Sequence, residues 1–397
     1  MIKTAAAIFT GVLAGIITGL TPGLHINLVS STVSANIELL SSIFSLTSIV
    51  AGIIAMSITH TFLDAIPATF LGAPDSDTAL SILPAHELLL KGRGHEAVTL
   101  TLAGSLGSLL LSITFMPLAL RIYPFVYSAV NNNIATILIT VSALLILSEK
   151  KKIPAMLIFA ISGTFGYFVL NSDIQNPLFP LLSGLFGIST LLISIKSKMK
   201  IPPQRINFNV KIWNFRWPVA ISVLCGGVCS ILPGIGASQA AVIGSMLQKK
   251  RGRKSFLVLT GGINTASMLL SLAAFYSLNK KRNGSIIAIA QILKGASASD
   301  FVMLVLSAVI AGSVSAIITL KISRLFVKII RRVNYTAMCL SVIIAITGAC
   351  ILLSGIYGIV VLVTSTILGM SAPSQKVKRS NLMGSLIIPV IIYFIRL

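Results

Sequence analysis

Two Pro-Gly pairs, Pro22-Gly23 and Pro233-Gly234, interrupt runs that are otherwise apolar, and each is followed by side chains that donate hydrogen bonds. After the first come His25, Asn27, Ser30 and Ser31; after the second come Gly236, Ser238 and Gln239. Proline carries no N–H and glycine tolerates positive φ, so each pair suits a tight reversal of a helical chain. A half-helix starting just beyond the reversal exposes its first backbone N–H groups and the positive end of its dipole. Such an end holds an anion. Hydroxyl and amide side chains add donors without a fixed charge, which suits a site that must also release its ligand. A single Pro-Gly pair reads equally well as a kink in an ordinary membrane helix. Two pairs at matching places, each trailed by polar side chains, argue for discontinuous helices that bind.

The second chemically loaded stretch is 58–96, with five of the nine acidic residues and three of the four histidines. His60 and Asp64 are four apart and share a helix face near a membrane boundary. Ionisable groups there are costly and mark ion or proton coupling, or else an interhelical hydrogen bond. Asp75 follows Gly72-Ala73-Pro74 and is a further coupling candidate, while Asp77 also reads as a helix cap. His86 and His95, beside Glu87 and Glu96 in a basic loop, read as surface residues. The corresponding part of the later sequence, 259–279, carries Asn264 and Thr265 but no charge before its end. Their oxygens are the hard ligands Na⁺ prefers, whereas a carboxylate alone serves H⁺. Beyond such a coupling ion no cofactor is expected. No metal-ligand spacing, phosphate loop, Gly-x-Ser-x-Gly or catalytic residue set is present. Cys225, Cys229, Cys339 and Cys350 lie in apolar runs and read as packing residues.

The elements that must position these residues follow from composition. The chain has 397 residues, 55% hydrophobic and 10% charged, with a mean hydropathy of +0.96. Soluble domains carry about 25% charged residues. A soluble enzyme, a disulfide scaffold, a coiled coil and a disordered chain are all excluded. An all-α polytopic protein of the cell (plasma) membrane, surrounded by lipid, remains. The excess of 31 Lys+Arg over 9 Asp+Glu sits in short clusters between apolar runs, a positive-inside pattern rather than a nucleic-acid footprint. The first apolar run lacks a cleavage site and reads as retained.

Hydropathy divides the chain into a first repeat (1–195), a basic cytoplasmic linker (196–215) and a second repeat (216–397). Each repeat reads as a re-entrant Pro-Gly hairpin plus about five transmembrane helices. In the first, spans fall at 42–62, 96–119, 127–148, 154–171 and 177–195. In the second they fall at 255–278, 299–320, 334–354, 357–371 and 382–396. An odd number of crossings per repeat makes the two inverted, with both termini outside. Every basic cluster then faces the cytoplasm save Lys280-Lys281-Arg282.

The Pro22-Gly23-Leu24 and Pro233-Gly234-Ile235-Gly236 segments, the stretch from Leu71-Gly72-Ala73-Pro74-Asp75 to Lys91-Gly92-Arg93, and the run Ile367 to Gly384 resemble the large membrane subunit of the tripartite tricarboxylate transporter family. The last of these is similar to a shorter, archaeal-like form. The resemblance implies a permease for carboxylates driven by an ion gradient. In bacterial members a small membrane subunit and an extracytoplasmic solute-binding protein cooperate with it, and a homodimer is a further candidate assembly. The function expected is secondary active transport of a small anionic, carboxylate solute, coupled to H⁺ or Na⁺, with substrate held between the Pro-Gly tips. Two alternatives stand beside it. One is a translocase for polyprenyl-phosphate or another anionic lipid, and the other is an intramembrane hydrolase using His60 and Asp64.

Overall fold

A computed structural model describes residues 2–21, 26–72, 80–131, 133–196, 202–206, 210–232, 236–248, 252–293, 295–330 and 334–396, with backbone alone at 28, 83, 131, 239 and 335. Among the described residues the structure is helical, without strands. In hydrocarbon every backbone polar group must be satisfied within its own segment, and the long apolar runs leave the helix as the solution. Among the described residues ten helices are long and apolar enough to cross a bilayer.

In the first half α1 (Ile2–Leu20), α2 (Ile26–Ala35) and α3 (Ile37–Ser41) precede α4 (Leu46–Leu63), which runs on through α5 (Ala65–Phe70). Then come α6 (Ile82–Leu89), α7 (Gly94–Asn131), α8 (Ile134–Leu147), α9 (Lys152–Leu170), α10 (Leu178–Leu182) and α11 (Ser189–Lys196), the last two joined by a π-helical turn at Ser183–Ile188. The second half contains α12 (Arg216–Ile231), α13 (Ala237–Leu247), α14 (Arg253–Leu278), α15 (Gly284–Leu293), α16 (Ala298–Ile330), α17 (Tyr335–Ser374) and α18 (Gly384–Arg396).

Glycine sets how these helices pack. A Cβ at Gly11 would meet the Gly52 carbonyl group, one at Gly15 would lie 2.5 Å from the Met56 oxygen, and one at Gly19 would lie 2.8 Å from Leu63 Cβ. Small residues at this spacing let backbones touch. The contacts climb both helices together, so α1 and α4 run side by side in the same direction. Residues 21–45 therefore bring the chain back to the side where it began. The later sequence repeats the device. Gly262 abuts Ser222, and a Cβ on Gly226 would lie 2.7 Å from Ala266 Cβ, so α12 and α14 also run together. The second element of each half then packs on the long helix of the other: α4 on α16, α14 on α7. From Ser48 to Phe70 every residue is buried save the half-buried Gly52.

Two differences from the sequence reading, in α7 and in the linker, have physical causes. Helix α7 continues to Asn131 through Pro117 and Pro124, where a break between spans was expected near 120. The apolar residues Ile122 and Phe125 continue the run, and a proline costs a helix one hydrogen bond without forcing it to stop. The expected break near 355 does occur, inside α17, where Gly355 has φ 66° and ψ −167°. The linker is docked where it is described. Gln204 Oε1 accepts from the Gly94 N–H at 2.8 Å, its Nε2 donates to the Leu89 carbonyl at 2.9 Å, and the Arg205 N–H bonds Gly92 O at 2.8 Å.

His86 and His95 are not surface residues. They are 2% and 4% exposed, and His95 Nδ1 lies 2.8 Å from Ser323 Oγ. His86, on the short α6 outside the spanning helices, sits 3.4 Å from the Thr69 carbonyl. Burial pushes its pKa down from 6.5 to about 4, against the opposing pull of that carbonyl. The imidazole is thus neutral in the folded protein over a range where the unfolded chain takes up a proton. Its contribution is complete above pH 6.5 and is lost as pH falls toward 4, amounting to about 3 kcal/mol. Melting temperatures of the detergent-solubilised protein should fall across that window, and less steeply in His86→Gln.

Candidate functional site

Helix α4 is apolar enough to be buried on every side, yet each of its later turns carries a polar side chain that meets a different neighbour. Ser57 Oγ lies 2.8 Å from Ser285 Oγ on α15, which lies 2.9 Å from Ser30 Oγ on α2. Thr59 Oγ1 accepts from Ser315 of α16 at 2.9 Å. His60 Nδ1 is 3.1 Å from Thr18 Oγ1 of α1. Thr61 Oγ1 is 3.0 Å from Thr265 Oγ1, and Asp64 Oδ2 accepts from Asn264 Nδ2 at 2.6 Å, both on α14. A buried polar group is tolerated when it is hydrogen-bonded, and these pairings account for so many hydroxyls in a dry core.

Asp64 stands where α4 gives way to α5. Pro67 supplies no N–H to the Leu63 carbonyl, so the regular ladder breaks there. The side chain is 3% exposed and Asn264 6% exposed. A charge so placed is costly unless partnered, and a hydrogen bond to an ionised group is worth about 1.5–3 kcal/mol. The sequence placed His60, Asp64, Asn264 and Thr265 in one coupling set, and the structure brings the latter three together with Thr61. His60 faces α1 instead. Asp75 lies outside the described residues.

Helices α2 and α13 start immediately after the chain interruptions. Pro22, Gly23, His25, Pro233 and Gly234 themselves lie outside the described residues, as does the Gln239 side chain. Ser30 is buried in the hydroxyl cluster, Asn27 is half-buried, and Ser31 is exposed. In the other half Ser238 is buried, and the Gly236 carbonyl lies 3.4 Å from Cys229 Sγ.

The loop between α14 and α15, residues 279–283, and Gly284 after it touch the last turn of α12 and the first turn of α2. Arg282 Nε donates to the Cys229 carbonyl at 2.6 Å, on the last turn of α12. Gly284 is packed so tightly on the first turn of α2 that a Cβ would lie 2.6 Å from Asn27 Cβ. Asn283 fixes the loop by capping α15, its Oδ1 accepting from the Ile286 N–H at 2.9 Å. Lys280 is held 4.4 Å above the Tyr127 ring, and Lys281 is exposed. Sequence reasoning assigned none of Thr18, Ser57, Arg282, Asn283 or Ser285. For Arg282 a signal existed: its cluster was the one exception to the positive-inside pattern. A guanidinium committed to a helix end is not a loop charge awaiting a side of the membrane.

The arrangement therefore contains a loop with a positive charge that touches the end of α12 and the start of α2, and a buried carboxylate–amide pair between α4 and α14. Among the described residues no three His, Cys, Asp or Glu side chains gather as a metal centre. Residues 6–384 match the tripartite tricarboxylate transporter TctA family. An uncharacterized protein of Methanocaldococcus jannaschii is 31% identical over 363 residues, covering 89% of this chain and 90% of that protein. No solved structure matches. The family is one of transporters and not of enzymes, so His60 and Asp64 do not form a hydrolase site. With ten helices among the described residues able to span a bilayer and a match over nearly its whole length, the chain is a multi-pass membrane protein that belongs to the tripartite tricarboxylate transporter TctA family.

Proposed function

We propose that the chain is the permease of a secondary transporter for a carboxylate anion, built from two inverted halves, with substrate bound between the two interrupted helices. One observation carries the reading: the loop 279–284 touches the end of α12 through Arg282 and the start of α2 through Gly284. The half-helix starts and a positive charge thereby share one small region. The inverted arrangement is supported by α4 and α14, where Thr61 opposes Thr265 while the later Asp64 opposes the earlier Asn264. That is the order of two helices running in opposite directions, each with its parallel partner, α1 or α12, alongside.

In this reading the substrate's negative groups meet the N–H groups opening α2 and α13, with Asn27, Ser30 and Ser238 as further donors. Asp64, Asn264, Thr61 and Thr265 take the coupling ion. Protonation of Asp64, or Na⁺ among these oxygens, neutralises the carboxylate and changes the cost of moving α4 against α14. A small membrane subunit and an extracytoplasmic binding protein are the partners that the family's tripartite character suggests.

The test is at the interruptions. Replacing Gly23 or Gly234 by valine places a branched side chain where the sequence leads one to expect a reversal that needs freedom of φ. Uptake of a tricarboxylate should fall at least tenfold while membrane insertion is retained. Thermal-shift screening against carboxylates and lipid phosphates, with and without Na⁺, identifies the ligand class, because a ligand of the folded state raises the melting point by mass action. Normal uptake in both valine variants, or stabilisation by lipid phosphates alone, overturns the reading.

A further inference from the structure

We propose that Arg282 is a specificity-determining residue whose guanidinium binds a carboxylate of the transported anion; this rests on the permease reading above. The expected donors of the site, backbone N–H groups with hydroxyls and amides, carry no formal charge. Arg282 changes that. It is half-buried, its Nε bonds the Cys229 carbonyl at 2.6 Å, and its neighbour Gly284 packs on Asn27 in the first turn of α2. The loop is not free to carry the charge elsewhere, because Asn283 caps α15 and its Nδ2 lies 3.5 Å from Met268 sulfur on α14.

A structural role alone explains less. Capping the negative end of α12 needs one donor and a diffuse positive charge, which lysine supplies as well. A guanidinium is a planar fork of five donors that matches a carboxylate edge to edge, and it keeps its charge when poorly hydrated. The other two members of the triplet point the same way by contrast. Lys280 is spent on the Tyr127 ring and Lys281 is exposed. One of three adjacent basic residues is bonded to the end of α12, and it is the arginine.

Equilibrium binding of citrate, succinate and acetate to the purified full-length chain in detergent tests this, with the melting temperature recorded for each variant. Arg282→Gln should weaken citrate at least tenfold, succinate less and acetate least, with the melting temperature nearly unchanged. Arg282→Lys should recover part of the citrate affinity, and Lys280→Gln should leave all three unchanged. Natural citrate affinity in Arg282→Gln overturns the proposal. So does an equal loss for all three acids in both Arg282 variants accompanied by an equal drop in melting temperature, the mark of a lost cap. Should Arg282→Gln fail to insert, Arg282→Lys decides alone: citrate weakened threefold or more relative to acetate supports the proposal, and equal affinities overturn it. A natural chain that binds none of the three removes the carboxylate reading itself, whereas natural binding with an unaffected Arg282→Gln removes this inference only.

Discussion

Asp64→Asn should abolish accumulation of substrate against a gradient, by at least a hundredfold in initial rate, in a protein that folds and inserts normally. The side chains are nearly the same size, and an asparagine oxygen still accepts from Asn264 Nδ2, which lies 2.6 Å from Asp64 Oδ2 in the natural chain. Packing is preserved and the ionisable group is lost. On the coupling role proposed for Asp64, a permanently neutral residue at 64 holds α4 in the state that the coupling ion otherwise creates, so exchange of internal for external substrate should persist while net, gradient-driven uptake disappears. Asn264→Ala does the opposite, leaving a buried carboxylate without that amide, and should lower stability by about 1.5–3 kcal/mol. The exchanged pair, Asp64→Asn with Asn264→Asp, keeps one charge and one amide and should recover that stability. Counterflow and net uptake in proteoliposomes, with melting curves for each variant, separate these outcomes. Net accumulation by Asp64→Asn at the natural rate would remove the pair from any coupling role.

How much of this was legible beforehand depends on how local each cause is. Asp64 and His60 stood out because an ionisable residue in an apolar run has few reasons to be there. Asn264 stood out because its run was otherwise uncharged. That Asp64 meets Asn264 was not legible. The pair is 200 residues apart, and only the crossing of α4 and α14 brings it together. The serines at 30, 57 and 285 were harder still, since a serine inside a membrane helix usually bonds its own backbone and gives no sign of a distant partner. Arg282 was visible but misread: a basic triplet between two apolar runs looks like a topological signal until one member is seen bonded to a helix end. His86 and His95 were misplaced because nearby Glu, Lys and Arg made the stretch look solvated. In the folded chain those charges pair with one another, as in Lys254–Glu96 at 2.8 Å, and the imidazoles lie inside them. Most of the membrane-spanning helices needed no long-range information, because each is an apolar run long enough to be read by itself.

Gly104→Ala should be among the most destabilising single-methyl additions in the protein. At this point α7 of the first half and α14 of the second meet backbone to backbone. A Cβ on Gly104 would be driven into the Val258 carbonyl oxygen and would lie 2.8 Å from its carbon and 3.0 Å from the Gly262 nitrogen. No flexible side-chain end is available to yield, so the whole helix must move. That separation breaks the hydrogen bond from Ser105 Oγ to Gly261 O at 3.1 Å. Overpacking in a rigid core costs about 1–3 kcal/mol, and a backbone obstruction belongs at or above the upper end. Gly348→Ala is the control. Nothing lies within 4 Å of a Cβ there, and alanine in a helix is favoured over glycine by about 0.5–1 kcal/mol. The decisive comparison adds Gly261→Ala, whose Cβ would lie 2.6 Å from Thr101 Cγ2 on the same seam. Once one methyl has forced the helices apart, the second enters space already opened. Gly104→Ala with Gly261→Ala should therefore cost clearly less than the sum of the two single changes. Melting curves for the four proteins measure this coupling directly. Simple additivity would mean that α7 and α14 yield locally at each glycine, and do not move as one rigid seam joining the two halves.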